Sequence, residues 1–165
     1  MLPSYIPWRR IDSWSCLACG ECCRRFRPSL TAYEYALILD TFGPSYIGSS
    51  GLGKPCLRMV RGRCVFQNKA GLCSLQPLGM KPLACKLWPF RIKGKTARDT
   101  DEDEAIFQHK GQAYYVYVDP SCNGINQGDP RELPKVIHEV IEISKEPRKS
   151  QFHSTSRLLI PLLVL

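Results

Sequence analysis

The most informative stretch of the chain is CLACGECC, residues 16–23, which holds four of the nine cysteines. Its spacing is Cys16-x2-Cys19-x2-Cys22-Cys23. Two cysteines separated by two residues can bind one metal because the intervening turn directs both sulfurs to the same side. A third cysteine at the same spacing is typical of the ligand runs of iron–sulfur proteins. The stretch therefore predicts a metal-binding region.

The remaining cysteines lie further along the chain in turn-like settings, at Cys56, Cys64, Cys73, Cys85 and Cys122. Glycines and prolines interrupt residues 56–85, so metal–thiolate bonds are expected to organise that stretch. None of the three histidines lies at ligand spacing from a cysteine pair, which favours ligation by cysteine alone. All-thiolate ligation selects zinc or iron–sulfur chemistry over magnesium and calcium. Spacing leaves open whether the cysteines form two four-cysteine sites or one larger cluster.

Two other interpretations of the cysteines are weaker. Simple buried hydrophobes would not concentrate four cysteines within eight residues. A disulfide framework is typical of oxidising compartments, and the N-terminal residues 1–8 contain no basic segment leading into an apolar run. The apolar tail at 158–165 is interrupted by Pro161 and is shorter than the roughly 20 residues of a membrane span. We therefore expect a cytoplasmic protein without a membrane span.

Several separated segments resemble, in order, the YkgJ-like cysteine-cluster family, a zinc- or iron-chelating domain with the signature CxxCxxCC. They are the 16–23 run, Arg63-Cys64, GLCSL at 71–75, KPLACKLWPF at 81–90 and CNGI at 122–125. The resemblance covers roughly residues 14–125. It implies eight metal ligands and leaves Cys56 outside the set; the eight are Cys16, Cys19, Cys22, Cys23, Cys64, Cys73, Cys85 and Cys122.

The chain also departs from the family pattern, since Lys81-Pro82 stands where the family often has Arg-Pro. Larger relatives include the flagellin lysine N-methylase, which has a similar cysteine cluster. This likeness alone suggests an accessory role in protein lysine methylation. We do not expect the 165 residues to include the added catalytic domain of such a relative, and they identify no catalytic residue.

The charge of the chain is unevenly distributed. Residues 1–98 carry 16 Lys+Arg and 4 Asp+Glu, whereas residues 99–165 carry 7 and 11. The basic half also holds eight of the nine cysteines, so its arginines are expected to offset the negative charge of metal-bound thiolates. Basic and aromatic residues alternate near Phe26 and Trp88, a pattern that would also suit RNA.

The length of 165 residues and the 44% hydrophobic content fit one small, loop-rich α+β domain spanning residues 1–165. Periodicity predicts helices at 30–41 and 131–145, the second leading into the apolar tail to form a 131–165 segment. A β-hairpin is expected from strands at 105–109 and 113–118, and another strand begins at Trp88. The acidic run at 99–104 is expected to be a solvated loop.

These observations leave three function classes open, in order of preference. The first is a redox or cluster-carrying protein with an iron–sulfur cluster, most simply of the 4Fe-4S type. The second is a zinc-stabilised basic module that binds RNA or a ribonucleoprotein. The third is the accessory to lysine methylation. The sequence does not decide whether the protein is an enzyme or which protein partner it has.

Overall fold

The computed structural model describes residues 5–95 and 101–156. Their architecture is mixed α+β, as predicted. The strands are β1 (Ile6–Pro7), β2 (Ile47–Ser49), β3 (Pro55–Leu57), β4 (Met59–Val60), β5 (Arg63–Cys64), β6 (Phe90–Lys93), β7 (Ile106–His109) and β8 (Gln112–Val118). The α-helices are α1 (Cys22–Arg25), α2 (Ala32–Phe42), α3 (Leu83–Leu87), α4 (Glu102–Ala105) and α5 (Leu133–Lys145).

The chain forms two compact units by its internal contacts. The first unit contains the described residues 5–17, 87–95 and 101–156, and the second contains residues 18–86. The boundary falls inside the CxxCxxCC run, because Cys16 belongs to the first unit while Cys19, Cys22 and Cys23 belong to the second.

The first unit is built on an antiparallel sheet in which β8 pairs with β1, β6 and β7. The sequence of β8, QAYYVYV, is rich in aromatic and β-branched residues that favour strands. The predicted hairpin is confirmed: β7 and β8 are joined by Lys110 and Gly111, both at positive φ. Two positive-φ residues produce a type I′ turn, whose twist matches that of the paired strands.

Helix α5 supplies the other half of this unit's core. Its apolar face shares one buried cluster with residues of the sheet and with Trp14: Leu133, Val136, Ile137, Val140, Ile141, Phe90, Phe107, Val116 and Val118. Burial of each large apolar side chain contributes about 1.5–3 kcal/mol. The first unit therefore has a regular hydrophobic core of its own.

The second unit has a smaller core and less regular structure. Helix α2 begins at a capping box formed by Thr31 and Glu34 and ends at Gly43, close to the predicted bounds. Its buried residue Ile38 shares a cluster with Leu57, Phe66 and Leu75. Two short hairpins, β2–β3 and β4–β5, complete the unit. A large share of its residues lies in turns, as the glycine and proline content predicts.

The acidic run differs from the prediction in its described part. Residues 102–105 form α4, and the Asp101 side chain is buried rather than solvated. Arg10 explains the difference, because its guanidinium lies 3.4 Å from Asp101 Oδ1 and also pairs with Glu104. Residues 99 and 100 and the apolar tail at 158–165 lie outside the described residues. Within the described part of the chain, no helix has the length and apolar character needed to cross a membrane.

A histidine pair joins the sheet to α5. The Nδ1 atoms of His109 on β7 and His138 on α5 are 2.7 Å apart, so one ring donates a hydrogen bond and the other accepts it. His109 is only 3% exposed. Burial lowers the pKa of His109, and the neighbouring His138, Lys110 and Lys145 act in the same direction against Glu142.

We expect acidification from pH 7.5 to 5.5 to destabilise the first unit. Unfolded His109 takes up a proton near its ordinary pKa of about 6.5, whereas folded His109 does so only at lower pH, so protonation favours the unfolded state. The free energy of unfolding measured with urea should therefore fall less over this pH range in His109→Gln than in the wild type. Substitution of the exposed His153 by glutamine is the control, and equal pH slopes in the wild type and His109→Gln would contradict the prediction.

Candidate metal centre

Five of the eight predicted ligands interact with one another in the second unit. They come from four separate segments: Cys22 and Cys23 on α1, Cys64 on β5, Cys73 in a turn, and Cys85 on α3. Their electrostatic interactions connect the α1 pair to the other three thiols. The fold therefore brings distant cysteines into one group, called here the five-thiol cluster.

Cys22 and Cys23 form a hydrogen-bonded thiol pair. The Cys23 thiol donates to the Cys22 sulfur, and this bond lowers the pKa of Cys22 to about 6, with help from the charge of Lys81 and against the effect of burial. The same bond raises the pKa of Cys23, since loss of its proton would place two negative sulfurs together. The pair therefore favours one thiolate and one thiol.

The other three thiols of the cluster are held in their neutral form. Burial is the largest cause of the raised pKa of Cys64, of Cys73 and of Cys85. Their sulfurs also raise one another's pKa, since a second negative charge in an apolar setting is unfavourable. Lys81 opposes these effects at Cys73 and Cys85.

The apolar surroundings of the cluster come from the core of the second unit. Cys64 is buried in the same cluster as Leu30, Phe66 and Leu75, and Cys23 and Cys73 pack against it. Electrostatic interactions between charged sulfurs, or between a sulfur and a cation, are stronger in such a setting than in water.

Glu34 connects two of the elements around the site. Its Oε2 accepts a hydrogen bond from the Thr31 N–H at the start of α2, and its Oε1 accepts one from the Leu83 N–H at 2.6 Å. Leu83 is the first residue of α3, which carries Cys85. One carboxylate thus caps α2 and fixes the beginning of the helix that presents Cys85.

The three other predicted ligands lie elsewhere. Cys16 and Cys122 belong to the first unit, where both pack against its core and Trp14 Nε1 donates to Cys122 Sγ at 3.4 Å. Cys19 is exposed in the loop of the second unit that precedes α1. Cys56, predicted to be outside the ligand set, is buried on β3, where it pairs with Gly48 and bridges to Ser29.

The source of positive charge at the site differs from the sequence expectation. Arg24 and Arg25 follow the CxxCxxCC run, yet both pair with Glu21, at 3.3 Å and 3.5 Å. A cation that acts on three of the thiols, Cys22, Cys73 and Cys85, is Lys81, four residues before Cys85. The Lys81-Pro82 dipeptide was visible in the sequence, but nothing there showed that its ammonium group would face thiols from α1 and from the turn at Cys73.

The donor set fits a metal that prefers sulfur. Five thiols, of which Cys23, Cys64 and Cys73 contact the apolar core, together with the neighbouring Lys81, suit zinc or an iron–sulfur cluster, which take thiolate ligands. They do not suit magnesium or calcium, which take oxygen. Cys64, Cys73 and Cys85 would hold the group together with one sulfur of the α1 pair. Among residues 5–95 and 101–156, no three Cys, His, Asp or Glu side chains already stand in an arrangement that could hold an ion.

Comparison with known proteins agrees with this donor chemistry. A family model described as "CxxCxxCC: Putative zinc- or iron-chelating domain" matches residues 15–123, about two thirds of the chain. Neither the curated proteins nor the solved structures contain a match. The family match includes the five-thiol cluster as well as Cys16, Cys19 and Cys122, and the chain therefore belongs to the CxxCxxCC family of zinc- or iron-chelating domains.

Proposed function

We propose that the protein binds an iron–sulfur cluster through cysteine ligands of the second unit and acts in electron transfer or cluster delivery. The observation that carries the proposal is the five-thiol cluster, in which four separated segments contribute sulfurs that interact electrostatically. The run of three cysteines at two-residue spacing favours iron–sulfur over zinc. Zinc bound by four thiolates is the alternative form of the same site.

The thiolate forms of these cysteines need a positive charge nearby to be stable, and a metal would supply it. Burial keeps Cys64, Cys73 and Cys85 protonated, and one lysine cannot balance several thiolates. A bound metal centre supplies the positive charge that the ionised sulfurs require. Ligand binding would thus release protons from the buried thiols and contribute to folding of the loop-rich second unit.

The three thiols outside α1 have different expected roles from the α1 pair. Each of Cys64, Cys73 and Cys85 lies in its own segment and has no adjacent cysteine that could serve as a metal ligand in its place. Cys22 and Cys23 are adjacent, so one can serve as ligand while the other remains a thiol that donates a hydrogen bond to it. Hydrogen bonds to ligating sulfurs tune the reduction potential of iron–sulfur clusters.

Metal content in cysteine variants tests this proposal. Protein purified without oxygen should contain iron and acid-labile sulfide and should absorb visible light. The Cys64→Ser and Cys85→Ser variants should each lose most of the iron, most of the sulfide and most of the visible absorption. Cys56→Ser is the matched control, since Cys56 is a buried cysteine of the same unit outside the cluster, and it should retain the wild-type content.

The outcomes separate the possible centres. If the wild-type protein contains zinc and no sulfide, the centre is a zinc site and not an iron–sulfur cluster, and electron transfer by this centre is excluded. Wild-type protein that carries neither metal, or Cys64 and Cys85 variants that keep the full content, would contradict the proposed site.

A second function, RNA binding by a metal-stabilised module, is favoured by one feature of the second unit. Residues 18–86 contain ten Lys+Arg and three Asp+Glu. Three of these arginines, Arg58, Arg61 and Arg63, are exposed on or beside the β4–β5 hairpin. Clustered exposed cations of this kind suit the phosphates of a nucleic acid.

If this surface binds RNA, affinity should fall steeply with salt. Each phosphate contact to a single strand contributes a slope of roughly −0.7 in log K against log salt concentration, so replacing Arg61 and Arg63 together by glutamine should reduce the slope by about 1.4. Fluorescence anisotropy with a labelled single-stranded RNA measures both quantities. Arg131→Gln, an exposed arginine of the first unit, is the control. Absence of salt-dependent binding in the wild type would exclude this function.

A further inference from the structure

Gln67 lies between two cysteines of the second unit, at the base of a tight loop. Its backbone N–H donates to the Cys64 carbonyl at 2.9 Å, and its backbone forms an antiparallel bridge with Cys73. The loop that it closes turns at Gly71, whose φ is +81°. The backbone of Gln67 thus already links the segments that carry Cys64 and Cys73.

The side chain of Gln67 adds a connection to a third segment. Its Nε2 donates one hydrogen bond to the Gly20 carbonyl and another to the Gly71 carbonyl, both at 3.0 Å. These two bonds use both protons of the amide. Gly20 lies two residues before Cys22, and Gly71 lies two residues before Cys73.

The Gly20 carbonyl has a second role in placing the α1 pair. It also accepts the backbone N–H of Cys23 at 3.1 Å, in the turn that begins α1. The Gly20 carbonyl oxygen therefore accepts hydrogen bonds both from the start of α1 and from the Gln67 side chain. Any shift of the Gln67 amide would act directly on the backbone that presents Cys22 and Cys23.

The contact between the two loops is closer than any side chain at position 20 would permit. A Cβ atom on Gly20 would lie 2.2 Å from the Gly71 oxygen and 2.5 Å from Gln67 Nε2. The φ of Gly20 is +72°, a conformation that glycine adopts without steric cost. The Gly20 loop, the Gln67 amide and the Gly71 loop therefore form one contact, called here the Gln67 bridge.

We propose that Gln67 is a positioning residue of the metal centre, an inference that rests on the proposed function. Through the Gln67 bridge it sets the Cys22–Cys23 pair at a fixed place relative to Cys73 without itself binding the metal. Three segments that each carry ligands are joined by one side chain, and none of them is held by a long helix or strand. Preorganised ligands lose less conformational freedom on binding, so the bridge should raise the affinity for metal.

Gln67→Met tests the proposal, because methionine has a similar length and cannot donate the two hydrogen bonds. Gln76→Met is the matched control: Gln76 also has a buried amide oxygen without a partner among the described residues, but its side chain makes neither bond of the Gln67 bridge. The full chain would be prepared without metal and titrated with Co²⁺, whose thiolate absorption reports the number of sulfur ligands, and with Zn²⁺ in competition with a chelator.

We expect Gln67→Met to bind both ions at least roughly tenfold more weakly, about the effect of two lost hydrogen bonds, and to show weaker Co²⁺–thiolate absorption per bound ion. Gln76→Met should match the wild type. Gln67→Asn, which keeps the amide but is one methylene too short to reach both carbonyls, should show the same defect with a smaller loss of fold stability.

Reduced stability of the metal-free Gln67 variants with unchanged affinity and absorption would make Gln67 merely structural and would overturn the inference. Wild-type protein that binds neither ion through thiolates would instead overturn the proposed function, and the inference with it. Comparison of the wild type with the variants therefore distinguishes the two failures.

Discussion

Several thiols held together in apolar surroundings place a strong electrostatic constraint on the second unit. Each sulfur in the five-thiol cluster that loses its proton makes the next ionisation harder, and burial already disfavours the charged form at Cys64, Cys73 and Cys85. The charge of Lys81 acts on three of these thiols, Cys22, Cys73 and Cys85. The proposed metal centre would resolve the conflict, because it would stabilise the thiolates and join the segments that carry them.

This constraint accounts for the contrast between the two units. The first has a β-sheet covered by an amphipathic helix, and its core contains many large aliphatic and aromatic side chains. The second has a smaller core, in which Cys64 takes one of the buried positions, and the segments that carry the five-thiol cluster are a two-residue strand, a turn, and helices of four and five residues. Local contacts such as the Glu34 cap and the Gln67 bridge take the place of regular structure in holding those segments.

Sequence patterns predicted the elements whose signals are local. The periodicity of α2 and α5 and the residues of the β7–β8 hairpin placed these elements within one to two residues of their observed bounds. The family resemblance and its coverage were also correct. Features that depend on distant partners were missed: the buried Asp101 beside Arg10, 91 residues away, and the contact of Gln67 with Gly20, 47 residues away. The pairing of Arg24 and Arg25 with Glu21 is local, three and four residues apart, and was also missed. The set of eight cysteine ligands stays a prediction, and their grouping into one or two centres was left open by the sequence.

X-ray absorption at the edge of the bound metal decides whether cysteine alone holds the ion, since the spectrum reports which atoms surround it whatever the metal is. For protein purified without oxygen, we expect a first coordination shell of sulfur only, with metal–sulfur distances of about 2.3 Å if the metal is zinc. The sulfur shell should be lost in Cys85→Ser and retained in Cys56→Ser. A first shell made mainly of nitrogen or oxygen would contradict an all-cysteine centre.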